Sequence, residues 1–258
     1  MMNMIGIFDS GFGGLSVLNE FRKNLGEYDY IYFGDSENIP YGDKDLEEIK
    51  ELTIRGVNFL FDKGAKIVIL ACNTATSNIR VLQQEIFPDR KILGVTIPAA
   101  EKIAELGLKK VGVLATNSTV KSHLYKERVQ RLDERIIVQE IGSPKLVPLI
   151  ESGNHQTDEF KEILKGYLYM FDKDIEYLVL GCTHYSLVSE EFRKLLSTDI
   201  GIIDPSYESS MKFRQYLEKH SDIEKGLSKN GNLEIFTSGD HDEFMRIGGE
   251  FLRDRSPV

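Results

Sequence analysis

The sequence predicts an α/β fold made of two similar parallel-sheet halves, and three observations favour this class. Short runs rich in β-branched residues alternate with longer segments of helical period along the 258 residues, which is typical of parallel strands covered by helices. Two of these runs end in matching cysteine motifs. The composition contains no Pro/Gly/Ser-rich linker, so any division into domains must be tight.

The order of strand and helix candidates along the chain supports this class. The predicted strands cover residues 4–8, 30–33, 66–71, 92–95, 110–114, 136–141, 177–180 and 200–203, and a later run at 233–237 is a further candidate. Helical period predicts helices at 46–63, 76–85, 98–105, 122–132, 159–171, 211–219 and 242–253. Strands that alternate with helices in this way favour parallel pairing.

Composition and charge exclude several classes of protein. The net charge of −9 leaves no basic excess for phosphates, so no direct nucleic-acid partner is expected. A small anionic ligand stays possible, because N–H groups at helix starts can hold a carboxylate. No run of 18 apolar residues predicts a membrane span, and no secretory signal is recognised, so a cytoplasmic location is expected.

The chain has only two cysteines, Cys72 and Cys182. In a reducing compartment a structural disulfide is not expected, which leaves buried fillers, metal ligands or reactive thiols. No C-x-x-C pair is present, and the sequence therefore predicts no metal site.

The two cysteines stand in similar local sequences. The apolar run 67–71 leads into Cys-Asn-Thr at 72–74, and the run 177–181 leads into Cys-Thr-His at 182–184. Each is a buried-strand pattern that ends in a small residue, then a cysteine, then a polar residue able to cap a helix.

A weaker echo pairs residues 8–11 with 114–117. Two similar α/β halves explain both echoes, with the chain crossing to the second half near 96–98 and returning near 204–206. The duplication is an interpretation of the pattern.

Both cysteines fall at the predicted carboxyl ends of strands, where open α/β sheets bind ligands. A thiol at a helix start feels the positive end of the helix, which favours the thiolate. For either cysteine alone, a role as a small buried hydrophobe is equally open. Matching positions in two matching halves favour a pair of reactive thiols.

The turn at 9–14 (DSGFGG) also follows a predicted strand. Its glycines let the backbone approach a ligand and offer N–H groups to an anion, although a purely structural tight turn is an equal alternative. It is neither a P-loop nor G-x-G-x-x-G, because Ser16 stands at the third glycine position. Asp9 can orient a neighbouring group, or it can cap a helix.

Three further features are candidates. The Pro-Tyr-Gly turn at 40–42 can close over a ligand, or it is an ordinary turn. His184 lies two residues after Cys182, and an imidazole there can lower the thiol pKa or exchange a proton. Glu151 ends the apolar run 146–150 and has the local context of a solvated carboxylate.

Taken together, the motifs resemble the glutamate racemases of the aspartate/glutamate racemase superfamily. The matching segments occur in the family's order at 7–15, 40–42, 71–75, 112–116, 146–151 and 180–185. The resemblance implies two α/β domains related by pseudo-twofold symmetry, with the active site in the cleft between them. The first domain would comprise 1–96 and 205–258, and the second 97–204.

The resemblance also implies interconversion of L- and D-glutamate without a cofactor, pyridoxal phosphate included. Two acid/base groups on opposite faces of Cα can remove and redeliver the α-proton. Cys72 would deprotonate D-glutamate and Cys182 L-glutamate. Asp9 would assist Cys72, while His184 and Glu151 would assist Cys182.

The implied substrate-binding set is Asp9, Ser10, Gly11, Pro40, Tyr41, Gly42, Cys72, Asn73, Thr74, Cys182, Thr183 and His184. A homodimer, no membrane partner and a supply of D-glutamate for peptidoglycan are implied as well. The sequence departs from the family pattern at Ser186, where proline is usual, and at Gly142-Ser143-Pro144, where Ala-Cys-Pro is common. It also departs at Glu37 and Asp45, where alanine and a small hydroxyl residue are commoner, and all of these positions concern loop geometry.

Three other functions were considered. A racemase of another acidic amino acid, such as aspartate, would use the same two thiols. A non-catalytic amino-acid-binding protein would need neither cysteine. A thiol hydrolase using Cys182 and His184 would leave Cys72 and the matching halves unexplained.

Overall fold

Two parallel β-sheets form the frame of the protein in the computed structural model, which describes residues 3–252. Their strands are β1 Met4–Asp9, β2 Tyr30–Gly34, β3 Ala65–Leu70, β4 Lys91–Gly94, β5 Lys110–Ala115, β6 Ile137–Gly142, β7 Tyr177–Gly181, β8 Gly201–Ile203 and β9 Leu233–Thr237. Every predicted strand is present, and each end lies within one residue of its prediction. Runs of β-branched residues bounded by turn residues are therefore a sufficient local signal in this chain.

The two sheets repeat one topology. The first sheet has the order β4-β3-β1-β2-β9 and the second has the order β6-β5-β7-β8, with parallel pairing throughout. Strands β5, β6, β7 and β8 correspond to β1, β2, β3 and β4, respectively. Listed from its other edge, the second sheet has the order β8-β7-β5-β6, which corresponds to β4-β3-β1-β2 of the first. Strand β9 is an additional edge strand of the first sheet. The α/β fold class with two similar parallel-sheet units is confirmed.

Helices connect the strands and cover the sheets. They are α1 Leu15–Asn24, α2 Leu46–Asp62, α3 Asn73–Thr76, α4 Ile79–Val81, α5 Thr96–Glu105, α6 Asn117–Lys121, α7 Leu124–Leu132, α8 Leu146–Glu151, α9 Asp158–Leu168, α10 Thr183–Leu187, α11 Ser189–Leu195, α12 Pro205–Lys219, α13 Ser221–Glu224 and α14 His241–Gly248. Because helices cover both faces, the central strands are buried on both faces, as all six residues of β1 are, whereas the edge strands β6, β8 and β9 are partly exposed.

The prediction of one helix at 76–85 is wrong. The segment contains α3, α4 and a π-helical turn at Leu82–Ile86. Helix α3 begins directly after Cys72, because the cysteine Sγ accepts the backbone N–H of Ala75 and so caps the first turn. Helical period alone does not reveal a cap made by sulfur.

Two other predicted helices have different bounds. Helix α12 begins six residues before the predicted start at 211, because Asp204 accepts the N–H of Ser206 and Pro205 takes the first helical position. Helix α14 ends at Gly248 rather than 253, and residue 253 lies outside the described residues. Helix α1 was not predicted, although it buries Leu15, Val17, Leu18 and Phe21 against the first sheet.

The apolar core runs between the two sheets. One buried cluster joins Ile7 and Ile69 of the first sheet to Leu114 and Leu180 of the second. Strands before residue 97 and after 205 belong to the first sheet, and strands between them belong to the second. The division into domains 1–96 with 205–258 and 97–204 stays a prediction. Within residues 3–252 no helix combines the length and apolar character needed to cross a bilayer.

Candidate active site

The carboxyl ends of β3 and β7 bring both cysteines to one cleft between the sheets. Cys72 follows β3 and precedes α3, and Cys182 follows β7 and precedes α10. The side chains are only 5% and 6% exposed, respectively. The residues that line the cleft are Ser10, Ile39, Pro40, Tyr41, Gly42, Asp43, Cys72, Asn73, Thr74, Thr116, Asn117, Ser143, Pro144, Val147, Pro148, Cys182, Thr183 and His184.

Cys72 lies among neutral donors and acceptors. Its Sγ accepts the N–H of Ala75 at 3.5 Å, and its thiol donates to Ser10 Oγ at 3.6 Å. Burial, helped by the nearby Asp9 carboxylate, raises the pKa of this thiol to about 12, although the hydrogen bonds with Ala75 and Ser10 lower it. In the substrate-free protein Cys72 is therefore a protonated thiol at neutral pH.

Asp9 lies behind the cleft at the end of β1 and is fully buried. Its Oδ2 accepts the N–H of Gly11 at 3.1 Å, and its Oδ1 accepts the hydroxyl of Thr183 at 3.3 Å. Burial raises the pKa of Asp9 to about 6, although His184 and the N–H groups of Gly11 and Gly14 lower it. The carboxyl group can thus gain or lose a proton close to neutral pH.

Cys182 lies beside a histidine–glutamate pair. Its Sγ is 3.7 Å from His184 Nδ1, and the other ring nitrogen, Nε2, forms a short hydrogen bond with Glu151 Oε1. Burial lowers the pKa of His184, but the Glu151 carboxylate and the Cys182 sulfur outweigh it, so that the pKa lies well above 6.5. The imidazole is charged at neutral pH, and its Nδ1 faces the Cys182 sulfur.

A glycine of the first turn makes room for this histidine. A Cβ on Gly13 would lie 2.5 Å from His184 Nδ1 and 2.6 Å from Thr183 Oγ1, which is closer than any such contact allows. The ring edge of His184 also packs against Phe12, with ring centroids 5.3 Å apart. The turn at 9–14 is thus shaped by the residues that follow Cys182, in the other sheet.

The Pro-Tyr-Gly turn joins the first sheet to the second across the cleft. The Tyr41 hydroxyl donates to Asp35 Oδ2 at 2.6 Å, which fixes the ring within the first sheet's own loops. Ser118, in α6 beside the second sheet, donates to the carbonyl of Gly42 at 2.8 Å. The Ile39–Pro40 bond is cis.

Several residues that line the cleft were missed by sequence reasoning. They are Ile39, Asp43, Thr116, Asn117, Ser143, Pro144, Val147 and Pro148. The signal for four of them was present, since residues 116–117 follow β5 and 143–144 follow β6, and polar residues after strands are the same signal that identified Cys72. Val147 and Pro148 lie in an apolar helix, which carries no such signal.

Three threonine hydroxyl groups form a cluster beside the cleft. Thr74 Oγ1 lies 2.8 Å from Thr116 Oγ1 and 3.2 Å from Thr119 Oγ1, and the latter two are 3.0 Å apart. Thr74 follows β3, whereas the other two follow β5. The cluster therefore ties the carboxyl ends of the two sheets together.

The departures from the family pattern at Ser186 and Ser143 form ordinary hydrogen bonds. Ser186 donates to Asp204 Oδ1 at 2.7 Å, the carboxylate that also caps α12. Ser143 donates to the carbonyl of Ala115 at 2.9 Å and lines the cleft. Both hydroxyls thus stabilise the loops that carry the site.

The structure brings all the sequence-predicted site residues together. Ser10, Pro40, Tyr41, Gly42, Cys72, Asn73, Thr74, Cys182, Thr183 and His184 line the cleft. Asp9 and Glu151 lie behind these residues and contact Thr183 and His184, respectively, and the N–H of Gly11 donates to Asp9. Their individual roles stay predictions. Across residues 3–252 no cluster of three His, Cys, Asp or Glu side chains is arranged to hold a metal ion.

Comparison with known proteins identifies the family. The family model described as Asp/Glu/Hydantoin racemase matches residues 15–207. A glutamate racemase of Lactobacillus helveticus is 36% identical over 96% of this chain and 92% of its own length.

Solved structures agree with the family model. The glutamate racemase isoform RacE1 of Bacillus anthracis has a TM-score of 0.89 at 31% identity, covering 97% of this chain and 94% of that one. The glutamate racemase of Francisella tularensis, solved in complex with D-glutamate, has a TM-score of 0.88 at 32% identity, covering 98% and 94%. The chain belongs to the Asp/Glu/hydantoin racemase family, and it is an isomerase of the racemase type.

Proposed function

We propose that this racemase interconverts L- and D-glutamate by proton transfer between Cα and two cysteines, Cys72 and Cys182, without a cofactor. The observation that carries the proposal is the equivalent placement of the two thiols. Cys72 follows β3 and Cys182 follows β7, and these two strands occupy equivalent positions in their sheets. Both cysteines line one cleft. Neither ligand binding nor thiol hydrolysis needs such a pair.

The proposed reaction moves one proton at each sulfur. In the L-to-D direction the Cys182 thiolate takes the α-proton and becomes a thiol, while Cys72 gives its own proton to the opposite face of Cα and becomes a thiolate. The pKa of Cys72 is raised to about 12, so it begins as the acid. The charged His184 ring beside Cys182 favours the base there. The reverse reaction begins with these two states exchanged.

The supporting groups differ between the two sides. On the Cys182 side, His184 exchanges the proton with sulfur and Glu151 holds the ring through its other nitrogen. On the Cys72 side, Asp9 has a pKa of about 6 and interacts electrostatically with the thiol, which makes it the group that aids proton exchange there.

The cleft offers donors for the two substrate carboxylates. Hydroxyl groups of Ser10, Thr74 and Thr183 and the amide of Asn73 surround the space between the sulfurs. Donors fixed in a buried site stabilise the negative charge that develops on the α-carboxylate when the proton leaves. Backbone N–H groups of Tyr41 and Gly42 are further proposed donors.

Glutamate is proposed as the substrate because the relatives named above carry that activity in their names, one of them with D-glutamate bound. Aspartate is the second candidate, since the same two thiols would serve it. The two amino acids differ by one methylene group, and the order of the cleft motifs is that of the glutamate enzymes.

The test is incubation of the purified protein with L-glutamate, D-glutamate or L-aspartate in D₂O without added cofactor, followed by polarimetry and NMR. We expect racemisation of both glutamate enantiomers with deuterium at Cα and no turnover of aspartate. Cys72→Ser and Cys182→Ser should each lower kcat/KM by about 10³-fold, because each removes one acid/base partner.

Two results would contradict the proposal. A well-folded wild-type protein that leaves glutamate unchanged rejects glutamate as the substrate. A serine variant that racemises at the wild-type rate rejects the two-cysteine mechanism. Folding of each variant is checked by its thermal transition.

A wider role follows from the activity. The racemase would supply D-glutamate for peptidoglycan, and depletion of the protein in its host should then be rescued by D-glutamate in the medium. If the depleted host grew normally without added D-glutamate, this result would argue against that role. We also propose a homodimer, which light scattering of the purified protein would test.

A further inference from the structure

A buried tyrosine outside the cleft lining holds one of the cleft residues. Tyr125 lies in α7, beside the second sheet, and its side chain is fully buried. Its hydroxyl donates to Asn73 Oδ1 at 2.5 Å. Asn73 is the first residue of α3, directly after Cys72, so the bond connects the first sheet to a helix of the second.

The direction of this hydrogen bond determines how the Asn73 carboxamide is turned. A tyrosine hydroxyl has one hydrogen, and Oδ1 is the acceptor it faces. If the carboxamide were reversed, its NH₂ group would face the hydroxyl and the hydroxyl hydrogen would lose this acceptor in a buried place. Burial raises the pKa of Tyr125 well above 10, so the hydroxyl keeps its hydrogen and remains a donor.

The other branch of the carboxamide is an unused donor. Asn73 Nδ2 is buried and has no hydrogen-bond partner among the atoms of residues 3–252. Asn73 itself lines the cleft, next to Cys72. A buried N–H₂ group without a partner is costly, and an anionic ligand in the cleft would satisfy it.

We infer that Tyr125 is a positioning residue for catalysis, which acts by holding the Asn73 carboxamide with its N–H₂ group available to a substrate carboxylate. The inference rests on the proposed function, in which Asn73 contributes to carboxylate binding. Without the tyrosine hydroxyl the carboxamide is free to turn its oxygen toward the carboxylate, and the two would repel. Tyr125 itself touches neither the substrate nor the thiols in this role.

A merely structural tyrosine is available as a matched control. Tyr30 is 1% exposed and donates to the backbone carbonyl of Leu25 at 2.8 Å, within the first sheet's own layer. Replacing either tyrosine by phenylalanine removes one buried hydroxyl and keeps the ring. The two variants therefore lose similar amounts of buried hydrogen bonding, but only one of them affects Asn73.

The experiment measures kcat and KM for both glutamate enantiomers in the wild type, Tyr125→Phe, Asn73→Ala, the double variant and Tyr30→Phe. We expect Tyr125→Phe to lower kcat/KM by about 10-fold, mainly through KM, because the lost interaction is with the bound carboxylate. Asn73→Ala should lower it by about 10²-fold. Adding Tyr125→Phe to Asn73→Ala should then change nothing further, and Tyr30→Phe should keep the wild-type constants.

Two outcomes overturn the inference while the proposed function stands. In the first, Tyr125→Phe has the same kinetic constants as Tyr30→Phe. In the second, the double variant loses activity by the product of the single losses, which means that the two residues act independently. If the wild-type protein racemises no glutamate, the proposed function and this inference fail together. That result differs from the two outcomes above, in which the wild type is active.

Discussion

Cys72 and Cys182 end matching strands of matching sheets, yet their neighbours are not alike. The sulfur of Cys72 contacts a hydroxyl and a backbone N–H, and a buried carboxylate with a pKa of about 6 acts on it. The sulfur of Cys182 faces an imidazole that a second carboxylate holds from behind. The duplicated frame fixed where the thiols lie, and non-equivalent side chains set their chemistry.

The difference shows how a symmetric reaction is served by an asymmetric site. One turnover needs one base and one acid, so a resting protein with two identical thiols would have both in the same state. Here the pKa of Cys72 is raised to about 12, whereas Cys182 lies beside a charged ring, so the surroundings of the two thiols differ before substrate arrives. Since the two enantiomers have equal free energy, kcat/KM must be equal in both directions for the wild type and every variant. A kinetic difference between the L-to-D and D-to-L directions can therefore be seen only in the separate values of kcat and KM.

The largest effect is expected on the Cys182 side. His184→Asn removes the ring that is proposed to exchange a proton with the Cys182 sulfur, and it removes the short hydrogen bond from His184 Nε2 to Glu151. We expect kcat/KM to fall by about 10³-fold for both enantiomers. Steady-state kinetics with L- and D-glutamate measure the loss. If His184→Asn kept the activity of the wild type, the two sides would differ in structure but not in chemistry.

The Cys72 side should depend on the charge of Asp9. We expect Asp9→Asn to lower kcat/KM by about 10²-fold, because the group that aids proton exchange with Cys72 is lost. In the wild type kcat/KM should fall as the pH drops through about 6, where Asp9 becomes protonated. The variant should lack this step in its pH profile. The same acid limb in both proteins would assign the titration to another group.

The same substitution should have the opposite effect on stability. The pKa of Asp9 rises from 3.8 to about 6 on folding, so the folded protein binds this proton more tightly. Its contribution to the free energy of unfolding is therefore greatest below pH 3.8 and is lost as the pH rises through 6, a difference of about 3 kcal/mol.

At pH 7, Asp9→Asn should accordingly be more stable than the wild type, by up to about 3 kcal/mol. Urea unfolding at pH 4 and pH 7 measures this. If the wild type and Asp9→Asn had equal free energies of unfolding at pH 4 and at pH 7, the buried carboxylate would not destabilise the folded protein.

A smaller loss of kcat/KM is expected when the His184 ring is pushed away from Cys182. In Gly13→Ala the new Cβ would lie 2.5 Å from His184 Nδ1, so the ring must move away from Cys182. We expect kcat/KM to fall by about 10-fold, since the ring is displaced rather than removed. Gly166→Ala is the control, because nothing lies within 4 Å of a Cβ at that position in α9. That variant should gain about 1 kcal/mol of stability and keep its activity.

The smallest effect is expected far from both thiols. Lys212 of α12 forms ion pairs with Glu101 and Glu105 of α5, and its side chain is 28% exposed. Lys212→Met should lower the free energy of unfolding by about 0.5 kcal/mol, less at high salt, and leave kcat/KM unchanged. A clear fall in kcat/KM would mean that the contact between α12 and α5 affects the cleft. The surroundings of the two thiols would then not be the sole source of the kinetic differences.

The sequence by itself determined the sheets and the two candidate nucleophiles. Each strand is a local run of apolar, β-branched residues bounded by turn residues, and the cysteines follow two such runs directly. Such patterns depend on neighbouring residues alone, which is why every predicted strand is present. The sequence predicted a helix start after Cys72 but not its cap, because the cap is the cysteine sulfur rather than one of the usual oxygen caps.

Only the tertiary structure decided which side chains serve which thiol. Glu151 reaches His184 across 33 residues of sequence, Thr183 reaches Asp9 across 174, and Tyr125 reaches Asn73 across 52. Glu151 has the local sequence of a solvated carboxylate, and Tyr125 has that of a helix residue facing the core. Hydrogen bonds between distant segments depend on how the two sheets pack, and the burial that sets the pKa values of Asp9 and Cys72 exists only after that packing.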